Sequence, residues 1–397
     1  MCTTDCVGVV CEFDPLHRGH EYLLHRAAEE TGLPVVCALS GNFVQRGGVA
    51  SLSKFSRAEM AVRCGADLVL ELPTLWAMAP AEAFASGGVS LLAMAGATRL
   101  YFGSECGEIA PLQQAADALL REEVHLDIRR RMSGGQSYAA ARQQTLEHFI
   151  GPAASLLASP NNTLAVEYLK AIRRQALSIR PTAVLRQGAG HDQAPAEGFA
   201  SASHLRHLLS AGQTVQALAL MPPAAAAVLR REIAAGRAPT CAAPLEGAVL
   251  ARLRMLSEEA FLPYDGGGEG LYHRVYRAIC SSVSIDEIIA SAATRRYPAA
   301  RIRRLIWSAF LALEPPTEQI PYLRVLAATP RGCTQLRALR DAGVPVLTKP
   351  ADVRRLSPAA QSLFTQEARR TDLYVLAYPD RAQALCGSDW RATPFML

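Results

Sequence analysis

Apolar and polar positions in the first half of the chain follow two alternating patterns. Short apolar runs rich in Val, Leu and Cys are typical of buried strands. The predicted strands are residues 7–11, 35–39, 68–72, 100–102 and 182–185. Between them, apolar residues recur at helical spacing. The predicted helices are residues 19–31, 54–64, 81–95, 109–132 and 163–176. This alternation indicates an α/β fold, a doubly wound, Rossmann-like parallel sheet with helices on both faces.

The composition changes after Gly212, where segments rich in Ala, Pro and Gly separate a series of amphipathic helices. Two further short strands are predicted, at residues 344–347 and 373–377. We expect residues 1–212 to form the α/β domain. Residues 213–397 are expected to form a mostly helical domain with a small mixed C-terminal portion.

The composition is that of a folded chain. Half of the 397 residues are hydrophobic and 19% are charged, which excludes a disordered protein. The uncharged stretch of sixteen residues between Glu82 and Arg99 is shorter than the roughly 20 apolar residues that cross a bilayer. The N-terminus has no basic segment before its apolar run, so we expect no secretory signal and a cytoplasmic location. The net charge of +5 permits a nucleic-acid partner.

The ten cysteines are scattered and include no Cys-x-x-Cys pair. Cys2, Cys6 and Cys11 are spaced by four and five positions without a matching His or Cys pair downstream, so no zinc site is expected. We expect reduced thiols, with Cys11 and Cys37 packed in strands as small apolar residues.

A polar loop that contains His17 and His20 follows the first predicted strand and leads into a helix. The free N–H groups and the positive dipole end of that helix suit a phosphate. The two histidines are three residues apart, lie on one face and can reach the same anion. Two imidazoles there can donate hydrogen bonds to phosphoryl oxygens while a nucleophile attacks the α-phosphorus.

His17-Arg18-Gly19-His20 matches the His-x-Gly-His signature, so the chain resembles the nucleotidyltransferase superfamily. Further segments narrow the resemblance to the tRNA(Met) cytidine acetate ligase family. These segments are residues 40–47, 54–61, 71–73, 102–105, 159–162, 199–203 and 294–297. The chain departs from the family at four positions. Asp14 replaces a common Asn, Leu16 a common Phe, Gly48 a frequent acidic residue and Arg295 a frequent Lys.

The resemblance implies an enzyme that uses ATP to activate acetate as acetyl-adenylate and releases pyrophosphate. The acetyl group then passes to N4 of the wobble cytidine of elongator tRNA(Met). A Mg²⁺ ion bridging the phosphates is expected from this chemistry, although no residue stands out as its ligand. The residues that the resemblance assigns to ATP are Val7, Gly8, Val9, Val10, Cys11, Glu12, Phe13, Asp14, Pro15, Leu16, His17, Arg18, Gly19, His20, Gly103, Asn161 and Arg186.

The last three of these residues also have physical reasons to contact a nucleotide. Gly103 follows the fourth strand, where a bare backbone lets a ring pack closely, although a turn glycine is an equal alternative. Asn161 can pair with a donor and an acceptor of the nucleotide, or it can cap a helix. Arg186 ends the fifth strand at the same edge of the sheet, which favours a phosphate contact.

Ser201, Ser203 and Arg206 resemble the second signature of the superfamily, which clamps the triphosphate. Hydroxyl groups and the free N–H groups of a new helix can bind the leaving pyrophosphate while the arginine neutralises it. We therefore assign a catalytic role to these three residues together with His17 and His20. An ordinary serine N-cap is the structural alternative.

Three cations near the second strand are assigned to substrate binding. Lys54 and Arg57 are one helical turn apart and point the same way, and Arg46 lies in the preceding Gly-rich loop. They can bind the carboxylate of acetate or the tRNA backbone, and the sequence does not distinguish between these two ligands. A solvated basic face is the alternative.

A tRNA substrate needs a basic surface larger than one ATP pocket. Arginines with an interleaved aromatic can contact phosphates and stack on an unpaired anticodon base. Arg295 and Arg296 are assigned to tRNA binding, in a cluster around Tyr297 that also holds arginines 301, 303 and 304. Arginines 129–131 form a second cluster, and for each cluster a solvated helix face is the alternative.

Two other functions fit parts of the sequence. An adenylyltransferase acting on a small phosphate-bearing metabolite would share the two signatures but leave the arginine clusters after Gly212 unexplained. A non-catalytic, nucleotide-sensing RNA-binding protein would not need an intact phosphate site. Both rank below the ligase.

Overall fold

The structure is a computed structural model that describes residues 5–186, 199–266, 270–316 and 319–397. Within these residues the strands are β1 (Cys6–Cys11), β2 (Val35–Ser40), β3 (Leu68–Leu72), β4 (Ala97–Ser104), β5 (Arg180–Leu185), β6 (Leu323–Ala328), β7 (Val346–Leu347) and β8 (Phe395–Met396). The strand order is β5-β4-β1-β2-β3-β6-β7, with β8 also paired to β6. Strands β1 to β5 are parallel, and β6 is antiparallel to β3. The expected doubly wound fold is confirmed.

The strand order reverses at β1. On one side, Val9 of β1 lies opposite Cys37 of β2, and on the other side Gly8 lies opposite Leu100 of β4. The chain passes from β3 on the first side to β4 on the second. The crevice at the carboxyl ends of β1 and β4 is therefore the topological switch point, where ligands bind in folds of this kind.

Helices cover both faces of the sheet. The helices of the described residues are α1 (Arg18–Thr31), α2 (Lys54–Arg63), α3 (Thr74–Ala77), α4 (Ala81–Met94), α5 (Ile109–Leu119), α6 (Glu122–Ser133), α7 (Tyr138–Ile150), α8 (Pro160–Arg174), α9 (Ala202–Ser210), α10 (Thr214–Ala219), α11 (Pro223–Ala234), α12 (Glu246–Arg254), α13 (Leu271–Ser281), α14 (Ile285–Ala292), α15 (Ala299–Phe310), α16 (Pro330–Asp341), α17 (Pro358–Tyr374) and α18 (Ser388–Arg391). Short 3-10 helices are Gly151–Ala158, Ala243–Leu245, Glu258–Tyr264, Pro350–Arg355, Val375–Ala377 and Arg381–Gln383. Across the described ranges, no helix has both the length and the apolar character needed to cross a membrane.

The two faces of the sheet have separate apolar cores. Val9 of β1 faces a core that includes Leu24 of α1, Met60 of α2 and Leu205 of α9. The opposite core contains residues of β2, β3, α4, α5 and α8 and continues into the helices α12 to α15. The helical part of the chain thus packs against the α/β part through one shared core.

The predicted strands in the first half are confirmed, while two other expectations are wrong. Residues 109–132 form two helices, because α5 ends at Leu119 and α6 begins at Glu122. Acidic residues in the first turn of α6 favour a new helix start. Residues 373–377 form no strand, since α17 extends to Tyr374 and a 3-10 turn follows.

Strand β6 was not predicted. All six of its residues are buried, so the sequence shows no alternation of apolar and polar positions that would separate a strand from a buried helix. Because β6 pairs with β3, residues after Gly212 complete the same sheet as residues before it. The domain boundary near Gly212 stays a prediction.

Gly332→Ala tests how tightly α16 packs at the start of β3. A Cβ at Gly332 would clash with the backbone carbonyl of Asp67, so we expect the substitution to lower the free energy of unfolding by about 1–3 kcal/mol. Gly247→Ala is the matched control, because a Cβ there meets nothing within 4 Å. It should raise the free energy of unfolding by up to about 1 kcal/mol. Urea denaturation measures the free energy of unfolding of both variants. Equal changes in the two would contradict the close packing of Gly332 against Asp67.

Candidate active site

His17 and His20 cap the helix that follows β1. His17 is the N-cap residue of α1, and its Nδ1 accepts a hydrogen bond from the backbone N–H of Gly19 at 3.1 Å. His20 Nδ1 accepts from the backbone N–H of His17 at 3.3 Å. Two imidazoles thus make the reciprocal bonds that Ser and Glu make in a capping box. The rings stack with their centroids 3.6 Å apart.

The two imidazoles are neutral donors. Because each Nδ1 accepts a backbone hydrogen bond, the neutral ring carries its hydrogen on Nε2. Burial lowers the pKa of His17 to about 3, and the charges of Arg186 and Arg206 add to this effect. Burial, followed by the neighbouring His17, lowers the pKa of His20. Near pH 7 each ring can therefore donate one hydrogen bond from Nε2.

Gly103, Asn161 and Arg186 come together at the carboxyl ends of β4 and β5. The Nη1 of Arg186 lies 3.4 Å from Oδ1 of Asn161. A Cβ at Gly103 would lie 3.3 Å from Cγ of Arg186. Glu105, which was not predicted as a site residue, accepts hydrogen bonds from Asn161 Nδ2 at 2.6 Å and from the backbone N–H of Asn162 at 2.8 Å. Its position directly after β4 is the sequence signal that could have found it.

The second signature, which comprises Ser201, Ser203 and Arg206, lies next to the loop after β1. Ser201 is the N-cap of α9, and its Oγ accepts from the backbone N–H of His204 at 3.2 Å, which confirms the N-cap alternative for this serine. Ser203 Oγ accepts from Arg206 Nη2 at 3.2 Å. Arg206 also donates to the backbone oxygen of Asp14 and lies 3.6 Å from its carboxylate. The structure therefore brings Arg206 to the segment that carries His17.

Arg57 is buried rather than solvated. Its side chain is completely inaccessible to solvent, so the alternative of a solvated basic face is wrong. Its guanidinium donates to backbone oxygens of Leu52, Glu12, Ser40 and Gly41. These bonds hold the loops after β1 and β2 together. A contact between Arg57 and substrate stays a prediction that this placement does not favour.

Lys54 is also buried and paired. Its Nζ lies 2.5 Å from Glu71 Oε1 and 2.9 Å from Asp389 Oδ1. Arg324 of β6 lies 2.6 Å from the same Asp389 oxygen and 3.4 Å from Glu71 Oε2. Lys54 therefore belongs to a buried group of two cations and two anions. Its assignment to substrate binding likewise stays a prediction.

The remaining predicted arginines lie at the surface. Arg46 is exposed in the loop between β2 and α2, and Arg295 and Arg296 are exposed just before α15. The guanidinium carbons of Arg296 and Arg301 lie 5.6 and 5.4 Å from the centre of the Tyr297 ring. Such cation–aromatic stacking gives a surface that suits unpaired bases and phosphates.

The second arginine cluster has internal partners. On α6, Arg130 and Arg131 both pair with Asp127, the latter at 2.7 Å. These ion pairs compensate part of the positive charge of this cluster.

Asp14 is hydrogen-bonded to Ser51, a residue that was not predicted to belong to the site. Its Oδ1 accepts hydrogen bonds from both the backbone N–H and the Oγ of Ser51 at 2.6 Å. Glu12 Oε1 accepts from the backbone N–H of Gln45 at 2.7 Å. These contacts fasten the loop before α2 to the loop that carries His17.

The described cysteines are free thiols. Cys11 and Cys37 are buried in β1 and β2 as predicted, and burial raises the pKa of Cys6 to about 12. Within the described ranges, no group of three or more His, Cys, Asp or Glu side chains is placed to hold a metal ion.

A family model described as HIGH Nucleotidyl Transferase matches residues 4–388. Fold and site thus define the class of protein as a HIGH nucleotidyl transferase. The tRNA(Met) cytidine acetate ligase of Syntrophomonas wolfei is 30% identical over 98% of this chain and 98% of its own length. That of Acetivibrio thermocellus is 31% identical, over 97% and 98%. The chain belongs to the tRNA(Met) cytidine acetate ligase family.

Solved structures agree with this assignment. The crystal structure of Thermotoga maritima TmcAL bound with alpha-thio ATP has a TM-score of 0.91 to this chain, at 27% identity and 99% coverage of both chains. The apo form of the same protein has a TM-score of 0.92 at 28% identity, with the same coverage. The similarity therefore extends over the helical part as well as the α/β part.

His17→Gln tests the burial of a neutral imidazole. The unfolded chain protonates this residue near its ordinary pKa of about 6.5, whereas the folded chain does so only at about 3. Between these values the unfolded state binds more protons, so the free energy of unfolding decreases as the pH falls, by up to about 1.4 kcal/mol per pH unit. We expect the substitution to remove most of this contribution from the slope.

The measurement is a series of denaturant titrations from about pH 6 to about pH 4, the range over which the two states differ in protons bound. His207→Gln, on an exposed position of α9, is the control and should keep the parental slope. A His17→Gln slope equal to the parental one would contradict the assignment.

Proposed function

We propose that this protein is an ATP-dependent ligase that activates acetate as acetyl-adenylate and transfers the acetyl group to N4 of the wobble cytidine of elongator tRNA(Met). The observation that carries the proposal is the stacked pair of neutral imidazoles at the start of α1, in the crevice between β1 and β4. Membership of the ligase family supports it, as does the Thermotoga maritima relative solved with an ATP analogue.

The crevice offers several groups that favour a triphosphate. The N-terminus of α1 presents the positive end of a helix dipole. His17 and His20 add Nε2 donors, while Arg186 and Arg206 add positive charge at the same edge. These groups are held by the hydrogen bonds described above, so they can stabilise negative charge as it develops on the phosphoryl oxygens.

The proposed reaction has two steps. In the first, a carboxylate oxygen of acetate attacks the α-phosphorus of ATP, the bond from that phosphorus to the bridging oxygen breaks, and pyrophosphate leaves with the electron pair. In the second, the N4 amine of cytidine attacks the acetyl carbonyl, AMP leaves and the amine loses a proton. Positioning and charge neutralisation can supply most of the catalysis, because acetate and the amine are themselves the nucleophiles.

Charge neutralisation in the first step is assigned to the second signature. Arg206 would bind the leaving pyrophosphate, with Ser203 hydrogen-bonded to its guanidinium and Ser201 fixing the start of the same helix. A Mg²⁺ ion accompanying ATP would neutralise further phosphate charge. The tRNA would lie on the arginine cluster around Tyr297, and we expect the enzyme to act in the cytoplasm.

The proposal is tested by incubating the purified protein with ATP, radiolabelled acetate and total tRNA, followed by nucleoside analysis. Label in N4-acetylcytidine is expected. ATP-dependent release of pyrophosphate without label in RNA would show that the acceptor is a different molecule, and absence of turnover would contradict an enzymatic function.

His20→Ala should reduce acetate-dependent pyrophosphate release by about 100-fold or more, because one of the fixed donors to the developing charge is lost. His25→Ala, an exposed residue of the same helix, is the matched control and should keep full activity. Circular dichroism establishes that both variants fold. Pyrophosphate release retained in folded His20→Ala would refute the catalytic role.

Replacing both Arg295 and Arg296 with Ala should weaken tRNA binding and reduce the dependence of affinity on salt. If each arginine contacts one phosphate, the slope of log affinity against log salt should fall by about 1.5 to 2. The matched control is the double replacement of Arg129 and Arg130 on α6. Filter binding at several salt concentrations measures the affinity for tRNA and its salt dependence in both double variants. Equal slopes in the two variants would contradict RNA binding at Arg295 and Arg296.

A further inference from the structure

The loop between β2 and α2 lies between the candidate active site and the helical part of the chain. We call residues 41–52 the bridge segment. It folds back on itself, since the backbone N–H of Val44 donates to the oxygen of Gly48 at 3.1 Å, and Phe43 pairs with Val49 in antiparallel fashion. The segment is therefore a compact unit with defined neighbours on two sides.

On one side, the bridge segment is bonded to the loop that carries His17. Gln45 donates its backbone N–H to Glu12, and Ser51 donates two hydrogen bonds to Asp14. Arg57 adds bonds to the oxygens at both ends of the segment, Gly41 and Leu52, and to that of Glu12. These bonds hold the segment in a fixed position relative to the nucleotide loop, so a change at its other side displaces α15 rather than this loop.

On the other side, the bridge segment is bonded to the helical part. The backbone oxygen of Ala50 accepts hydrogen bonds from the hydroxyl of Thr240 and from Tyr374 Oη, the latter at 3.1 Å. The ring of Phe43 lies 6.0 Å from the ring of Trp307 in α15. The segment thus has buried contacts with the helix that follows Tyr297.

Gly47 lies close to the backbone of α15. Its φ is +82°, a conformation that favours glycine, and a Cβ would lie 2.8 Å from the backbone nitrogen of Arg304 and 2.9 Å from the carbonyl carbon of Arg303. The two backbones are in direct contact, with no side chain between them to adapt. Arg46, the neighbour of Gly47, is exposed beside this contact.

We propose that the bridge segment sets the register between the acceptor RNA on α15 and the activated acyl group at α1, with Gly47 as the positioning residue for the transfer step. The inference rests on the proposed function. Transfer requires the N4 amine to reach the acetyl carbonyl, and a misplacement of about 1 Å between bound partners can cost about 100-fold in rate. The first step involves only ATP and acetate, so it does not depend on this register.

The test compares Gly47→Ala with Gly135→Ala. Gly135 has a similar φ of +93°, but a Cβ there meets nothing within 4 Å. Both substitutions therefore strain the backbone, and only one pushes against α15. Two activities are measured in each variant: acetate-dependent exchange of pyrophosphate into ATP, and acetyl transfer to tRNA with its kcat and its KM for tRNA.

In Gly47→Ala we expect exchange within about twofold of the parent, a kcat for transfer reduced by about tenfold or more, and a KM for tRNA close to the parental value. Gly135→Ala should match the parent in all three. Equal losses of exchange and transfer, an increase in KM alone, or unchanged transfer would each overturn the inference. A parent protein that shows neither exchange nor transfer would instead overturn the proposed function.

Tyr374→Phe is the second variant, in case Gly47→Ala does not fold. It removes only the hydroxyl that bonds to Ala50 and keeps the buried ring. We expect the same pattern on a smaller scale, with kcat for transfer reduced by about threefold and exchange unchanged. Loss of both activities in equal measure, or no loss of transfer, would overturn the inference.

Discussion

The geometry of the candidate site depends on one buried guanidinium, that of Arg57. A charge removed from water costs several kcal/mol unless hydrogen bonds replace the lost solvent. Arg57 obtains them from backbone oxygens after β1, at the end of β2 and before α2. A segment that moved away would leave a donor of a buried cation unpaired. The loop that carries His17 and the bridge segment therefore keep a fixed relation to each other.

A second buried group of charges fixes the distant residues of the chain to the same part of the sheet. Lys54 and Arg324 face Glu71 and Asp389, with no more than 3.4 Å across each of the four ion pairs. The group is neutral as a whole, so each charge is compensated where water is absent. Strand β6 and α18 are held in this way at the end of β3, beside the helix that contains Arg57.

The contiguous features were predictable from the sequence, and the non-local ones were not. His17 and His20 stand out because their strand, loop and helix are consecutive. The burial of Lys54 and Arg57 was not predicted, since Lys and Arg are almost never fully buried without partners. One such partner, Asp389, is 335 positions from Lys54. β6 was hidden by its uniform burial. The contact between Gly47 and α15 is made by two backbones, so no pattern of side chains in the sequence predicts it.

Pairs of residues around the nucleotide loop come from widely separated parts of the chain. Asn42 and Thr371 are 329 positions apart, and Ala50 and Tyr374 are 324 apart. Contacts of such range have a larger loop-closure entropy cost than local contacts, because more chain lies between the two residues. During synthesis on the ribosome, the bridge segment is made long before Thr371 and Tyr374. An unfinished chain thus lacks the contacts that hold the loops of its candidate active site in place.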